Sequence, residues 1–179
     1  ATTSGILNLF SKFKLGFNFL NSNNKTGKIK KVTNNEILIA KKMRDIMNKA
    51  PGVGLAANQI GILKEIVTVS FVDQNTKNQI EYSLFNPNII SYSKEKVVME
   101  EGCLSLPNQF AEIERSEKIT LEYLDEKNSL VKKQANGIEA RILQHEIDHL
   151  SGKLFVDYLS SLKRNIIIKK VQKFLKNKK

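Results

Sequence analysis

The chain has 179 residues, 41% of them hydrophobic and 26% charged, and its formal net charge at pH 7 is +11. This composition excludes collagen-like, coiled-coil and fully disordered proteins, and no apolar run approaches the roughly 18 residues of a membrane-spanning helix. The length fits one domain with its own core. A single cysteine, Cys103, excludes an internal disulfide framework and is typical of a reducing compartment.

Positive charge is concentrated at the two ends of the chain. Residues 1–35 carry six lysines and no acidic residue, and residues 151–179 carry nine basic residues against Asp157 alone. Such ends favour contact with an anionic surface, such as RNA or lipid headgroups, although a lysine-rich composition that serves only solubility is equally compatible. The acid-free segment 1–32 is expected to be either a divergent N-terminal segment or a leader, although it lacks the arginines of a transit peptide.

The first predicted elements are a helix and a set of strands. Thr33 and Glu36 form a capping box, apolar residues follow at helical spacing, and Pro51 ends the helix. The glycine-rich run 52–59 predicts a connector. Alternation and β-branched residues then predict extended segments, with a turn around Pro87, at 66–72, 80–85, 89–92, 97–99, 118–124 and near 130.

Helical spacing returns in the last third of the chain. Apolar residues recur from Gly137 to Leu150, and Gly152 follows. A final helix is expected over about 159–176, with an apolar face opposite a lysine-rich face. The order of elements predicts an α+β fold with mostly antiparallel strands, in one domain over 33–179.

Both histidines of the chain lie in one short motif, His145-Glu146-Ile147-Asp148-His149. Four residues apart on a helix, the two imidazoles project from one face and can bind one metal ion. Glu146 can then take a proton from a water at that ion. Two incidental histidines on a solvated helix are the weaker alternative, because no histidine lies outside the motif.

The third metal ligand distinguishes the classes of enzyme. A metzincin needs a histidine at position 155, which is Phe155, and a thermolysin-like site needs a downstream glutamate, where only Asp157 follows. The best remaining ligand is Cys103, within the polar, glycine-containing segment 101–105. Its alternative interpretation is a small buried hydrophobic residue.

Three segments together resemble the motifs of peptide deformylases. They are GVGLAANQ at 52–59, EGCLS at 101–105 and QHEIDHL at 144–150, and the similarity extends from about residue 36 to the C-terminus. The resemblance implies an α+β fold with antiparallel sheets around a central metal-binding HExxH helix and a C-terminal helix. It implies removal of the N-formyl group from the initiator methionine of new polypeptides.

The resemblance also assigns roles to individual residues. It implies one metal ion on Cys103, His145 and His149, physiologically Fe²⁺, with Ni²⁺, Co²⁺ or Zn²⁺ as substitutes. The implied catalytic groups are Glu146 as general base, and the Gln59 amide and the Leu104 backbone N–H as donors to the oxyanion. The implied substrate-binding residues are Val53, Gly54, Met99, Ile138 and Ile142.

Residues around these groups are expected to hold them in place. Asp148 is expected to pair with Arg115, and Glu101 and Gln144 to orient their neighbours. Two features depart from the family pattern. Residues 1–32 lack the usual opening segment, and Phe110 stands where many bacterial members carry an arginine or a tyrosine.

Two other functions remain as alternatives. A zinc peptidase could use the same helix, and an RNA- or ribosome-binding protein could use the basic C-terminal helix. The second role is compatible with a deformylase that docks on rRNA through that helix. No membrane or DNA partner is expected, and the expected compartment is the bacterial cytoplasm, with an organelle matrix as the alternative.

Overall fold

The computed structural model describes residues 26–50, 52–74 and 76–177. Within them the chain forms three α-helices: α1 (Asn34–Lys49), α2 (Gly137–Leu150) and α3 (Ser161–Lys176). The strands are β1 (Gly54–Ala56), β2 (Ile66–Val72), β3 (Gln79–Tyr92), β4 (Lys96–Cys103), β5 (Leu106–Ser116), β6 (Lys118–Leu124) and β7 (Leu130–Asn136). Short 3₁₀ turns lie at Ala57–Ile60 and Phe155–Tyr158.

The strands form two antiparallel sheets. One has five strands in the order β1-β2-β3-β6-β7, and the other is the hairpin of β4 and β5. Helix α2 contacts both sheets, and its apolar residues pack with those of β2, β3, β6 and β7 in one buried cluster. The expected α+β fold, with antiparallel sheets around the HExxH helix, is confirmed.

Helix α1 begins where the sequence predicts it. The Thr33 hydroxyl accepts from the backbone N–H of Asn35, and the Glu36 carboxylate accepts from the backbone N–H of Thr33, which completes the capping box. The Lys64 ammonium also bonds to Glu36. Met43 and Met47 are fully buried in the cluster that joins α1 to β1 and β2.

One predicted turn is replaced by a continuous strand. The sequence favours a turn at Pro87 between two short strands, but β3 runs through this position from residue 79 to residue 92. The pairing of β3 with β6 shifts register between Phe85 and Asn88, and Asn86 in that gap has a φ of +52°. The predicted turn is wrong because a strand can hold a proline at a bulge, where no ladder donor is needed.

Two strands lie where the sequence predicts none. The glycine-rich run 52–59 contains β1, which pairs three residues with β2, followed by the 3₁₀ turn that carries Gln59. Strand β5 lacks a simple apolar alternation, because Arg115 shares the buried face of Ile113 and the neighbouring Ser116 is buried as well. The pattern fails there because charged side chains occupy inward positions.

The ends of the described chain pack onto this framework. Ile29 and Val32 are buried against α1, so residues 26–32 contribute to the core. At the other end, Val171 of α3 is buried against Leu106 and Ile113 of β5. Within residues 26–177, apart from the two positions left out, no helix is both long and apolar enough to cross a membrane.

Candidate metal centre and active site

A thiol and two imidazoles meet between α2 and the end of the β4–β5 hairpin. The ligand atoms of Cys103, His145 and His149 all lie within 4.8 Å of one another, and Cys103 Sγ is 3.3 Å from His149 Nε2. Strand β4 ends at Cys103, immediately before the tight turn into β5, while the histidines are one helical turn apart on α2. One thiol and two imidazoles are a suitable donor set for a transition-metal ion.

Both histidine rings are oriented through their Nδ1 atoms. His145 Nδ1 lies 2.9 Å from Glu101 Oε2, and His149 Nδ1 lies 3.1 Å from the Lys153 carbonyl oxygen. The Asn58 side chain in turn donates to the His149 carbonyl oxygen. An oxygen acceptor on Nδ1 fixes the ring and its tautomer, which leaves Nε2 of each ring as the atom for a metal ion.

Glu101 is the centre of a buried charge cluster. Its carboxylate accepts from Arg115 Nε at 2.6 Å and from Arg141 Nη1 at 2.7 Å, besides facing His145. Arg115 also bonds to Asp148 at 2.8 Å, as expected from the sequence. Burial alone would raise the pKa of Glu101, but His145 and Arg115 outweigh burial and hold that pKa at about 2.

The Cys103 sulfur lies among hydrogen-bond donors. Gln59 Nε2 is 3.7 Å from the sulfur, and the Ser105 backbone N–H donates to it at 3.4 Å. Burial would raise the pKa of the thiol, but His149 and His145 more than offset burial and lower that pKa well below its ordinary value. The thiolate, which is the form that binds metals, is therefore favoured.

The Glu146 carboxylate is buried beside this cluster and opposite Gly54. A Cβ built on Gly54 would lie 2.5 Å from Glu146 Oε1, so only a glycine allows this close approach. Glu146 Oε2 has no hydrogen-bond partner among the described residues. Burial raises the pKa of Glu146, although His145 and His149 lower it in part. A buried carboxylate with a vacant acceptor is suited to hold a proton.

These groups open into one cavity of about 530 Å³. Five of the expected catalytic and metal-binding residues line this cavity: Gln59, Cys103, Leu104, His145 and Glu146. His149 is fully buried, does not line the cavity, and is the third member of the candidate metal-ligand group. Of the expected substrate-binding residues, the cavity is lined by Val53, Gly54, Ile138 and Ile142. Met99 does not line it and is 39% exposed.

Sequence reasoning missed two polar groups of this site. Ser105 accepts from Gln59 Nε2 at 3.1 Å through its hydroxyl. Arg141 lines the cavity with its guanidinium bound to Glu101. A single signal pointed to Arg141: it is a charged residue among the apolar positions of α2, one turn before His145.

Comparisons with known proteins agree on one family. A family model described as polypeptide deformylase matches residues 19–165. The peptide deformylase of Rhizobium meliloti is 42% identical over 140 residues, which cover 78% of this chain and 80% of that protein. The peptide deformylase of Rickettsia canadensis is 41% identical over 157 residues, covering 86% and 90% of the two chains.

Solved structures give the same result. The crystal structure of peptide deformylase from Ehrlichia chaffeensis superposes with a TM-score of 0.80 at 36% identity, covering 86% of this chain and 90% of that one. The same enzyme in complex with actinonin has a TM-score of 0.78 at 38% identity, covering 83% and 88%. The chain therefore belongs to the polypeptide deformylase family, the metal-dependent hydrolases that remove N-formyl groups from peptides.

Proposed function

We propose that Cys103, His145 and His149 hold one divalent metal ion with which the chain deformylates the N-terminal formyl-methionine of newly made polypeptides. The observation that carries the proposal is the convergence of this donor set beside the buried carboxylate of Glu146. We propose Fe²⁺ as the native ion, with Ni²⁺, Co²⁺ or Zn²⁺ as substitutes. When bound, the ion supplies a Lewis acid that activates water and polarises the formyl carbonyl.

Glu146 carries the protons in this reaction. Its carboxylate accepts a proton from the water that attacks the formyl carbon, and then delivers that proton to the departing amine nitrogen. The unpartnered Oε2 and the burial of the side chain support this role. Gly54 positions the carboxylate by packing directly against it.

Two donors are proposed to stabilise the negative charge that develops on the formyl oxygen. Gln59 Oε1 accepts from the backbone N–H of Ala56 at 2.8 Å, which fixes the amide with Nε2 toward Cys103. The backbone N–H of Leu104, next to Cys103 at the hairpin turn, is the second donor by analogy with the family. Preorganised donors of this kind are worth about 10²–10³ in kcat each.

The apolar part of the cavity is proposed to take the methionine side chain. Val53, Ile138 and Ile142 line it, and Gly54 allows the substrate backbone to pass close to β1. The proposed role of Met99 rests on the family resemblance alone. A zinc peptidase is not favoured, because the family assignment covers most of the chain.

Formate release from a formyl-Met tripeptide tests the reaction and the role of Glu146 together. Wild-type protein loaded with Ni²⁺ should release formate, and Glu146→Gln should lose about 10²–10⁴ in kcat while it binds the same amount of metal. Glu139→Gln is the matched control, since it makes the same change on the same helix outside the cavity. No release by the metal-loaded wild type, or full activity of Glu146→Gln, would contradict the proposal.

The basic face of α3 is proposed to dock on rRNA near the site where new chains emerge. Val171 of this helix is buried, whereas five of its lysines are exposed: Lys163, Lys169, Lys170, Lys173 and Lys176. Phosphate contacts made by such lysines would weaken as the salt concentration rises. We further propose a catalytic domain over 33–179, to whose core residues 26–32 add Ile29 and Val32. We propose the bacterial cytoplasm as its compartment, with bacterial relatives in support.

Charge substitution on α3 tests the docking while it preserves the fold. Lys169→Gln with Lys173→Gln should weaken binding to purified ribosomes and flatten its salt dependence, with unchanged activity on a free tripeptide. Lys41→Gln with Lys42→Gln, on the exposed part of α1, removes the same charge elsewhere. Equal binding by both double variants would show that α3 is not the docking surface.

A further inference from the structure

Arg141 spans the gap between helix α2 and the β4–β5 hairpin. Its Nη1 donates to Glu101 Oε1 at 2.7 Å and to the Ile113 carbonyl at 3.0 Å, and its Nη2 donates to the Val97 carbonyl at 2.6 Å. The residue is only 6% exposed. One arginine side chain thus ties α2 to both strands of the hairpin.

The position of this bridge relative to the reaction site follows from helix geometry. Arg141 precedes His145 by one turn on the same row of α2, about 6 Å along the helix axis. Ile138 and Ile142, on the neighbouring row, line the same cavity as Arg141. Helix α2 and the hairpin both contribute lining residues to the cavity, and the Arg141 side chain joins the two at that level.

The guanidinium of Arg141 is also held in a fixed position. Three hydrogen bonds hold its guanidinium, and the bond to Glu101 joins two charged groups. Movement away from the cavity would leave the Ile113 and Val97 carbonyls without this donor. Phe110, by contrast, lines the cavity with 60% of its surface exposed and is free to yield.

We propose that Arg141 determines specificity by setting the maximum length of the N-terminal side chain that the cavity accepts. The proposal rests on the proposed function, in which the cavity takes the side chain of the formylated residue. A side chain that fits beside Ile138 and Ile142 binds, and one that reaches the guanidinium is excluded. One methylene more or less in a hydrophobic pocket changes kcat/KM by about tenfold or more.

Two formylated tripeptides that differ only in the length of the first side chain test this role. One begins with norleucine and the other with 2-aminooctanoic acid, which is two methylenes longer. Wild-type protein should prefer the norleucine peptide by at least about tenfold in kcat/KM. Arg141→Ala should move the ratio toward the longer peptide by about tenfold, and Arg141→Met, whose unbranched stem still fills part of the space, by less.

The ratio of two substrates in one preparation does not depend on how much of the protein is folded or loaded with metal. Arg115→Met is the matched control, because Arg115 also bonds to Glu101 but does not line the cavity. The proposal is overturned if wild-type protein accepts both peptides equally. It is also overturned if the Arg141 variants keep the wild-type ratio, or if Arg115→Met shifts it as much.

The same experiment separates this inference from the proposed function. Failure of metal-loaded wild-type protein to release formate from formyl-Met, formyl-norleucine and formyl-aminooctanoyl peptides alike would contradict the proposed function. Formate release at equal rates from the short and the long peptide would be consistent with the proposed function but would contradict the role of Arg141.

Discussion

Replacing Gly54 with alanine should displace Glu146, the proposed general base, without touching a proposed metal ligand. The added Cβ would lie 2.5 Å from Glu146 Oε1, 2.6 Å from Cγ and 2.7 Å from Cδ, where ordinary contacts are 3.4–4 Å. Gly54 has no positive φ, so alanine meets no backbone strain there. The perturbation is therefore steric, and its three closest contacts are all with the Glu146 side chain.

The size of the effect follows from the overlap. To restore an ordinary contact, the Glu146 carboxylate must retreat by about 1 Å, and a displacement of that size costs about 10²-fold in rate. A hundredfold loss corresponds to about 2.7 kcal/mol in activation free energy. We expect kcat of Gly54→Ala to fall by this factor, with metal content unchanged because no ligand moves.

Steady-state formate release and metal analysis of one preparation check this prediction. Gly27→Ala is the control, since its Cβ would meet nothing closer than 3.8 Å, and its activity should equal that of the wild type. If Gly54→Ala kept kcat within about threefold of wild type, the close approach would not position Glu146. If its metal content fell in parallel with kcat, the loss would belong to the metal site instead.

Three further predictions concern stability and metal. Glu101→Gln should lower the unfolding free energy in urea by roughly 3–5 kcal/mol, because it removes the charge between buried Arg115 and Arg141; a loss below about 1 kcal/mol would contradict this. The Glu36 pKa is lowered to about 2 by Lys64 and Thr33, so its stabilisation is complete above pH 4.5 and is lost as pH falls toward 2. Glu36→Gln should flatten the pH dependence of urea unfolding in that window, and an unchanged profile would contradict the assignment. Chelation should abolish formate release and lower Tm, because an ion that binds only the folded protein stabilises it; added Ni²⁺ should reverse both.

The reactive groups were the easiest part to predict from the sequence. Spacing alone places His145 and His149 on one face of α2, and the short glycine-containing segment before Leu104 draws attention to Cys103. In the structure the ligand atoms of the three residues lie within 4.8 Å of one another. Residues that lie a few positions apart in one helix or tight turn have relative positions set by local geometry, so their arrangement can be predicted from the sequence.

Groups that meet only through tertiary packing were harder to predict. Arg141 contacts residues 28 to 44 positions away in the chain, and no local pattern encodes those partners. Strand β5 was missed for the same reason, since the inward Arg115 is satisfied by Glu101 and Asp148 from other elements. The alternation of apolar and polar residues does not reveal a strand whose inward-facing positions carry charged side chains in buried ion pairs.

The periods of a strand and a helix explain why this site forms a ladder of contacts. Two residues along β4 span about 6.6 Å, and one turn of four residues along α2 spans about 6 Å. Cys103 therefore meets His149 at one step, and Glu101 meets His145 at the next. One helical turn before His145, Arg141 donates one hydrogen bond to Glu101 and another to the Val97 carbonyl oxygen.

Because the two spacings nearly match, a single packing arrangement of α2 on the hairpin produces all three contacts: Cys103 with His149, Glu101 with His145, and Glu101 with Arg141. A shift of α2 by one turn would pair Cys103 with His145 and leave Glu101 opposite Arg141 alone, without a histidine to orient. It would also leave His149 without a sulfur. Arg141, which joins α2 to the hairpin, therefore helps to fix the same register that brings the thiol to the second histidine, so the cavity wall and the thiol–imidazole group depend on one interface.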